Sequence, residues 1–175
     1  MPLTVSKAEL LVDGDDEHFR QAIHDALSFS ARLQEIRNRL GETIGLSGPA
    51  YSILIAIEHI SAGGAEVGIS RLGEHLHLSG AFVTIEVNKL VKEGLVGKAP
   101  HPEDGRRVVL TVTPKALLLL EELAPTQRPI NDAIFDRLTA KQFRQFADIM
   151  ASLVGGTEEA LALLHLQAEQ RRRRA

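Results

Sequence analysis

Two stretches carry residue types that can read a polyanion. One is APHPEDGRR (residues 99–107), rich in turn formers and ending in Arg106 and Arg107, with Asp104 just ahead of them. Guanidinium forks at the tip of a projecting hairpin can enter a DNA groove or grip phosphates. The other is the segment from about Gly80 to Glu93, where Ala81, Thr84, Ile85, Asn88 and Lys92 share one helical stripe and Lys89 lies beside it. Alanine, isoleucine and the threonine methyl can touch thymine methyls, asparagine can reach an adenine edge, and lysines can meet phosphates. The segment holds no arginine, so guanine readout is not expected of it.

Positioning these groups requires a helix held by one face only. Val83, Val87, Leu90 and Val91 recur at i, i+4, i+7 and i+8 and supply that face. Ser79 is placed as the N-cap, and counted among the contacts, with Gly94 as the stop. A short helix, Arg71 to His77 capped by Ser70, precedes across a tight turn. Strands Leu95–Lys98 and Val108–Val112 follow, and residues 66–69 offer a third strand. Helix-turn-helix plus basic hairpin is a winged helix.

The flanks read as helices. Met1–Glu17 is polar and acidic and expected to fray or dock loosely. Phe19, Ile23, Leu27, Leu33, Ile36 and Leu40 give helical spacing over His18–Ile44, which the sequence GLSGP breaks. Pro49–Ser61 is apolar on most sides and should be buried, with Ser47 or Gly48 as its cap. After the wing, Thr113 caps a helix that opens on Pro114. Pro125 and Pro129 are expected to kink or interrupt it, and it resumes over residues 129–137. Thr139 and Gln142 form a capping box for residues 140–154, which Gly155 and Gly156 should end. Thr157 then caps a last helix, and Arg171–Arg174 read as a disordered solubilising tail. The fold class is mainly α. A winged helix-turn-helix over 46–115 lies between an N-terminal arm and dimerisation helix (1–45) and C-terminal dimerisation helices with a basic tail (116–175). The apolar stripes at both ends exceed the needs of one small domain, so a two-fold homodimer is expected.

Charge argues the other way. The net charge is −3, and residues 46–115 carry 7 Lys/Arg against 7 Asp/Glu. A neutral winged region cannot bind duplex DNA strongly by electrostatics alone. A local patch at the wing remains open, and so does an alternative: a winged-helix module for protein contact, favoured by Phe82 and Ile85 near the reading face.

The chain has no cysteine, which removes disulfides, thiolate zinc sites and thiol redox sensing. Its seven histidines include no HxxxH or HExxH, so no metal is expected. No nucleophile elbow, phosphate loop or paired carboxylate stands out, so neither an enzyme nor a cofactor is expected. The first residues show no secretory pattern and no uninterrupted apolar run approaches membrane-spanning length, so the expectation is a cytoplasmic protein without a membrane partner.

The stretch EDGRRVVLTVTPKA, with Asp104, Arg106, Leu110, Thr113 and Lys115, and the stretch LSGAFVTIEVNKLVKEGLV resemble the multiple-antibiotic-resistance regulator (MarR) family of transcription factors. The resemblance runs from about His18 to Val154. It implies a helical homodimer whose terminal helices form the interface and whose two wings read a pseudo-palindrome in double-stranded DNA. It also implies that Arg106 enters the minor groove and that Asp104 orients it. The family often has an arginine where this chain has Ile85, and Gly105 replaces a common wing arginine that Arg107 can stand in for. A small aromatic effector is expected between the dimer helices and the winged region, with Phe29, Leu33, Tyr51, Leu54 and Ile55 as contacts and the Tyr51 hydroxyl as anchor. The plainer reading of Tyr51 is a core ring with its hydroxyl at the surface.

Overall fold

The computed structural model describes residues 1–174. The chain forms α1 (Glu17–Thr43), α2 (Gly48–Ala62), α3 (Ile69–Leu76), α4 (Gly80–Lys92), β1 (Val96–Pro100), β2 (Val108–Val112), α5 (Pro114–Phe135) and α6 (Ala140–Arg174). It divides into two compact units, Met1–Pro125 and Thr126–Ala175.

The first unit is built around α2. Ser47 caps this helix, its side chain accepting from the Ala50 N–H, and Pro49 sits in the first turn. Tyr51, Ile53, Leu54 and Ile57 are all 0% exposed, because α1, α3, α4 and β2 each pack against the helix. The sheet is a single antiparallel pair, Val96 opposite Val112 through Pro100 opposite Val108. The anticipated third strand is reduced to one backbone bond, Leu110 N–H to the Val67 carbonyl at 2.8 Å. Leu95, Val96 and Leu110 root the hairpin in the core.

The N-terminal arm is fastened, where fraying or loose docking was expected. The Asp16 carboxylate is fully buried. It accepts from both the backbone N–H and the hydroxyl of Thr4, each at 2.6 Å, and meets Arg20 at 2.6 Å. The Thr4 hydroxyl, the Thr4 N–H and the Arg20 charge hold its pKa below the usual carboxylate value against the opposing effect of burial.

The second unit contains the end of α5 and all of α6. Thr139 and Gln142 make the capping box as expected, N–H to side chain in both directions. Phe135 stacks edge-on against Phe143 with centroids 5.3 Å apart. Three helix breaks drawn from the sequence do not occur. α5 runs through Pro125 and Pro129, and α6 runs through Gly155–Gly156 and on into Arg171–Arg174. Glycine lowers helix propensity by roughly 1 kcal/mol but keeps its N–H, so the ladder can continue. Thr157, expected as a cap, instead donates its hydroxyl back to the Val154 carbonyl inside the helix.

By length and composition alone α6 is apolar enough to cross a membrane, which no segment was expected to be. Its longest weakly charged run, residues 149–168, is interrupted at the middle by Glu158 and Glu159. A charged side chain at a bilayer centre costs on the order of 3 kcal/mol, which counts against a span centred there.

Candidate nucleic-acid interface

The turn between α3 and α4 is set by three residues. His77 ends α3 in the left-handed conformation, φ 53°, and Leu78 N–H returns to the Gly73 carbonyl at 2.9 Å, a Schellman-type closure. A Cβ on Gly73 would stand 2.9 Å from the Leu78 carbonyl oxygen, so this close approach requires glycine. α3 begins at Ile69 behind Gly68, two residues earlier than a Ser70 cap would place it, and no side chain caps it.

α4 then behaves as its periodicity requires. Val83, Val87 and Leu90 are 0% exposed, while Ile85 is 55% exposed. Ala81, Asn88, Lys89 and Lys92 are also exposed, Thr84 is half-buried and Val91 is only partly covered. Ser79 caps the helix, its hydroxyl oxygen accepting from the Phe82 N–H. The Thr84 hydroxyl donates to the Gly80 carbonyl at 2.7 Å, which commits its hydrogen inside the helix and leaves its methyl group for contact. Lys89 is paired with the buried Glu86 at 2.6 Å, which halves the cations this helix offers. Lys92 forms no ion pair among the described residues.

Asn88 has a partner that local sequence reading missed. Lys98, on β1, donates to its Oδ1 at 3.0 Å. An ammonium can only donate, so the Asn88 carbonyl faces the strand and its NH2 is the group turned elsewhere. Lys98 therefore adds a cation beside the reading stripe.

The exit of the wing locks the end of α4. Thr113 donates its hydroxyl to the Gly94 carbonyl at 2.8 Å, accepts the Ala116 N–H as the cap of α5, and so serves two elements. Lys115 donates to the Glu93 carbonyl at 2.7 Å. A cation at a helix C-terminus satisfies the last carbonyls and the dipole together.

At the wing tip Asp104 does not touch the Arg106 guanidinium. Its carboxylate accepts the Arg106 backbone N–H at 3.0 Å, and its carbonyl accepts from the Arg107 N–H at 2.9 Å. Asp104 thus shapes the turn, in the manner of an Asx-turn, in place of the side-chain orientation that the resemblance implied. Arg106 and Arg107 are exposed and form no ion pair among the described residues. With Arg71, which sequence reading also missed, they line a groove of about 340 Å3 beside the start of α3.

A family model described as "MarR family" matches residues 44–107, from the end of α1 through the wing tip. Over that stretch the chain is similar to the MarR family. It is 23% identical over 132 residues to the HTH-type transcriptional repressor MdtR of Bacillus subtilis (strain 168), a match covering 75% of this chain and 84% of that protein. A mutant MarR from E. coli, solved in complex with operator DNA, has a similar fold, with TM-score 0.61 at 17% identity over 78% of this chain and 94% of that one. The PcaV transcriptional regulator of Streptomyces coelicolor, solved with its natural ligand, has TM-score 0.55 at 24% identity over 73% of this chain and 90% of that one.

A cavity of about 490 Å3 lies between α1, α2 and the helix-turn-helix, lined by Gln34, Arg37, Ser52, Ile55, His59 and Phe82 among others. Of the five residues expected at an effector, Ile55 alone lines it. Tyr51 and Leu54 are wholly buried in the core, and Phe29 and Leu33 are half-buried on α1. The Tyr51 hydroxyl is buried without a hydrogen-bond partner among the described residues, neither an anchor in the cavity nor a group at the surface. Burial pushes its pKa above the usual phenol value, against the pull of Arg37, whose guanidinium lies 5.1 Å over the ring. Among the described residues no three or more His, Asp or Glu gather as a metal would need.

Proposed function

We propose that this chain is a DNA-binding transcriptional regulator that works as a homodimer on a pseudo-palindromic operator. One observation carries the reading: α4 buries Val83, Val87 and Leu90 completely while turning Ile85, Asn88 and Lys92 outward, beside a hairpin whose two arginines are free of ion pairs among the described residues. A recognition helix and a wing need that division. Residues 46–115 would then read DNA. The terminal stretches 1–45 and 116–175 would bring two copies together, which the exposed Ile23 and Leu27 of α1 and the exposed leucines of α6 support.

Regulation by a small aromatic or carboxylate ligand fits the cavity beside α4, where Arg37 and Gln34 supply polar anchors and Ile55 and Phe82 apolar walls. A ligand there needs to prefer one spacing of the two recognition helices by only a few kcal/mol to change operator affinity. Repression is the sense favoured by the likeness to MdtR. A regulator of this kind acts in the cytoplasm and needs no catalytic machinery.

The test is a mobility shift on duplexes selected from a random-sequence pool. Arg106→Ala is expected to weaken binding to the selected duplex by about 1–3 kcal/mol, the range for a groove contact. Lys92→Ala should weaken binding to all sequences alike and lower the salt slope by about one unit. Equal affinity of Arg106→Ala and wild type would take the wing out of the mechanism. No selected duplex at all would favour the protein-contact alternative, to which Phe82 and Ile85, 36% and 55% exposed, would be central.

A further inference from the structure

We propose that His101 and Glu66 are positioning residues for DNA binding: together they latch the wing tip to the segment ahead of α3, and so fix where Arg106 and Arg107 stand relative to α4. The proposal rests on the DNA-binding reading above.

His101 opens the tip loop and is only 9% exposed, unlike the exposed residues 102–106 that follow it. Its backbone N–H donates to the Arg107 carbonyl at 3.1 Å and closes the loop at its base. Its ring bonds on both sides. Nδ1 lies 3.1 Å from the Glu103 backbone nitrogen, and Nε2 lies 3.0 Å from Glu66 Oε2. A backbone N–H can only donate, so Nδ1 must be the acceptor and carries no proton. The ring is therefore the neutral tautomer with its hydrogen on Nε2, donating to the carboxylate.

Every other side-chain bond of the loop is local. Asp104 accepts from Arg106, and nothing in that turn ties it to the rest of the unit. The bond to Glu66 crosses 35 positions of sequence. One residue further on, the Val67 carbonyl receives the Leu110 N–H of β2. The segment ahead of α3 therefore holds the hairpin at its strand and again at its tip. Glu66 also borders the groove that Arg71, Arg106 and Arg107 line, yet its bond goes to His101, and the wing arginines are left uncommitted.

Glu66 is the better site for a test, because its side chain is 58% exposed and its loss spares the core. Glu66→Ala removes the acceptor. Glu66→Gln keeps an acceptor oxygen but has no charge. Removing a carboxylate near DNA strengthens binding if electrostatics is all that changes, so the latch predicts a loss for Glu66→Ala and none for Glu66→Gln. On a duplex selected with wild-type protein, Glu66→Gln should bind as well as wild type or better, and Glu66→Ala about ten-fold more weakly, the order of a lost groove contact. His101→Asn, which keeps an acceptor near Glu103 and loses the reach to Glu66, should resemble Glu66→Ala. In a background of Arg106→Ala with Arg107→Ala, Glu66→Ala should cost nothing further, because the latch acts only through those arginines. In the free protein, amide exchange at Glu103 should be faster in Glu66→Ala than in wild type. An equal loss in both backgrounds, or unchanged exchange, overturns the proposal. A wild type that selects no duplex defeats the DNA-binding reading instead, and the exchange measurement still decides whether the latch exists.

Discussion

α2 and α6 are both apolar helices, and their surroundings differ completely. α2 is enclosed by its own chain, with Ile53, Leu54 and Ile57 at 0% exposure. On α6 no described residue is buried, and Leu153, Leu161, Leu163 and Leu164 are 54–63% exposed. Apolar residues enclosed on all sides make a core, and large apolar side chains left exposed along a helix are what the proposed dimer would cover. The difference teaches that the first unit stands on its own packing, while the described residues of α6 owe little to burial.

The largest expected effect breaks the α2 side of this contrast. Ile57→Ala should cost about 2–5 kcal/mol of folding stability, as cavities in enclosed cores do, read from urea unfolding. A loss under about 1 kcal/mol, typical of surface sites, would mean that α2 is not the centre of the core. The next sharpens the α6 side. Leu153→Lys with Leu164→Lys should leave the folding of the chain nearly unchanged but weaken self-association by about 1.5–3 kcal/mol for each leucine that a partner covers. Sedimentation velocity over a dilution series reads this, and identical assembly of variant and wild type would remove α6 from the interface.

The smallest effect lies at the start of α1, where a buried charge replaces buried hydrocarbon. The Asp16 pKa is lowered in the folded protein, chiefly by the Thr4 hydroxyl. A depressed carboxylate stabilises the fold at pH above its unfolded value, and that contribution fades as pH falls through the folded value. Below the usual carboxylate range the arm should therefore release before the core unfolds. Acid-active protease should then cut within residues 1–15 of wild type, while Asp16→Asn should be cut there already at neutral pH. Equal resistance of both proteins at neutral pH would show that the clamp holds nothing.

Much of this architecture was legible because it repeats. The stripe of Val83, Val87 and Leu90 follows from period alone, and the caps at Ser47, Ser79 and Thr139 from residue type. The charged tip at Arg106 and Arg107 was likewise visible as composition. What escaped was either long-range or a matter of small free energies. The His101–Glu66 and Lys98–Asn88 bonds join residues 35 and 10 positions apart, and no local pattern announces them. Pro125 and Pro129 stand four apart, so the bonds they forfeit fall along one side of α5 and the remaining ladder carries the helix past them. Gly155 and Gly156 cost propensity but no donor. The core reading of the Tyr51 ring held, but its hydroxyl is neither a cavity anchor nor at the surface, which only the packing of α1 across α2 decides.

Thr84 gives its hydroxyl hydrogen to Gly80, and with Ala81 and Ile85 it makes the forward half of the reading stripe a row of methyl groups. Such a surface recognises the 5-methyl of a pyrimidine by contact and not the hydrogen-bonding edge of the base. On the DNA-binding reading, thymine and 5-methylcytosine look alike to those three side chains. Operator occupancy at these positions would then respond to cytosine methylation, and replacing thymine by uracil would be felt as a lost contact. On that reading the methyl-lined half of α4 would make operator binding sensitive to the chemical marking of DNA.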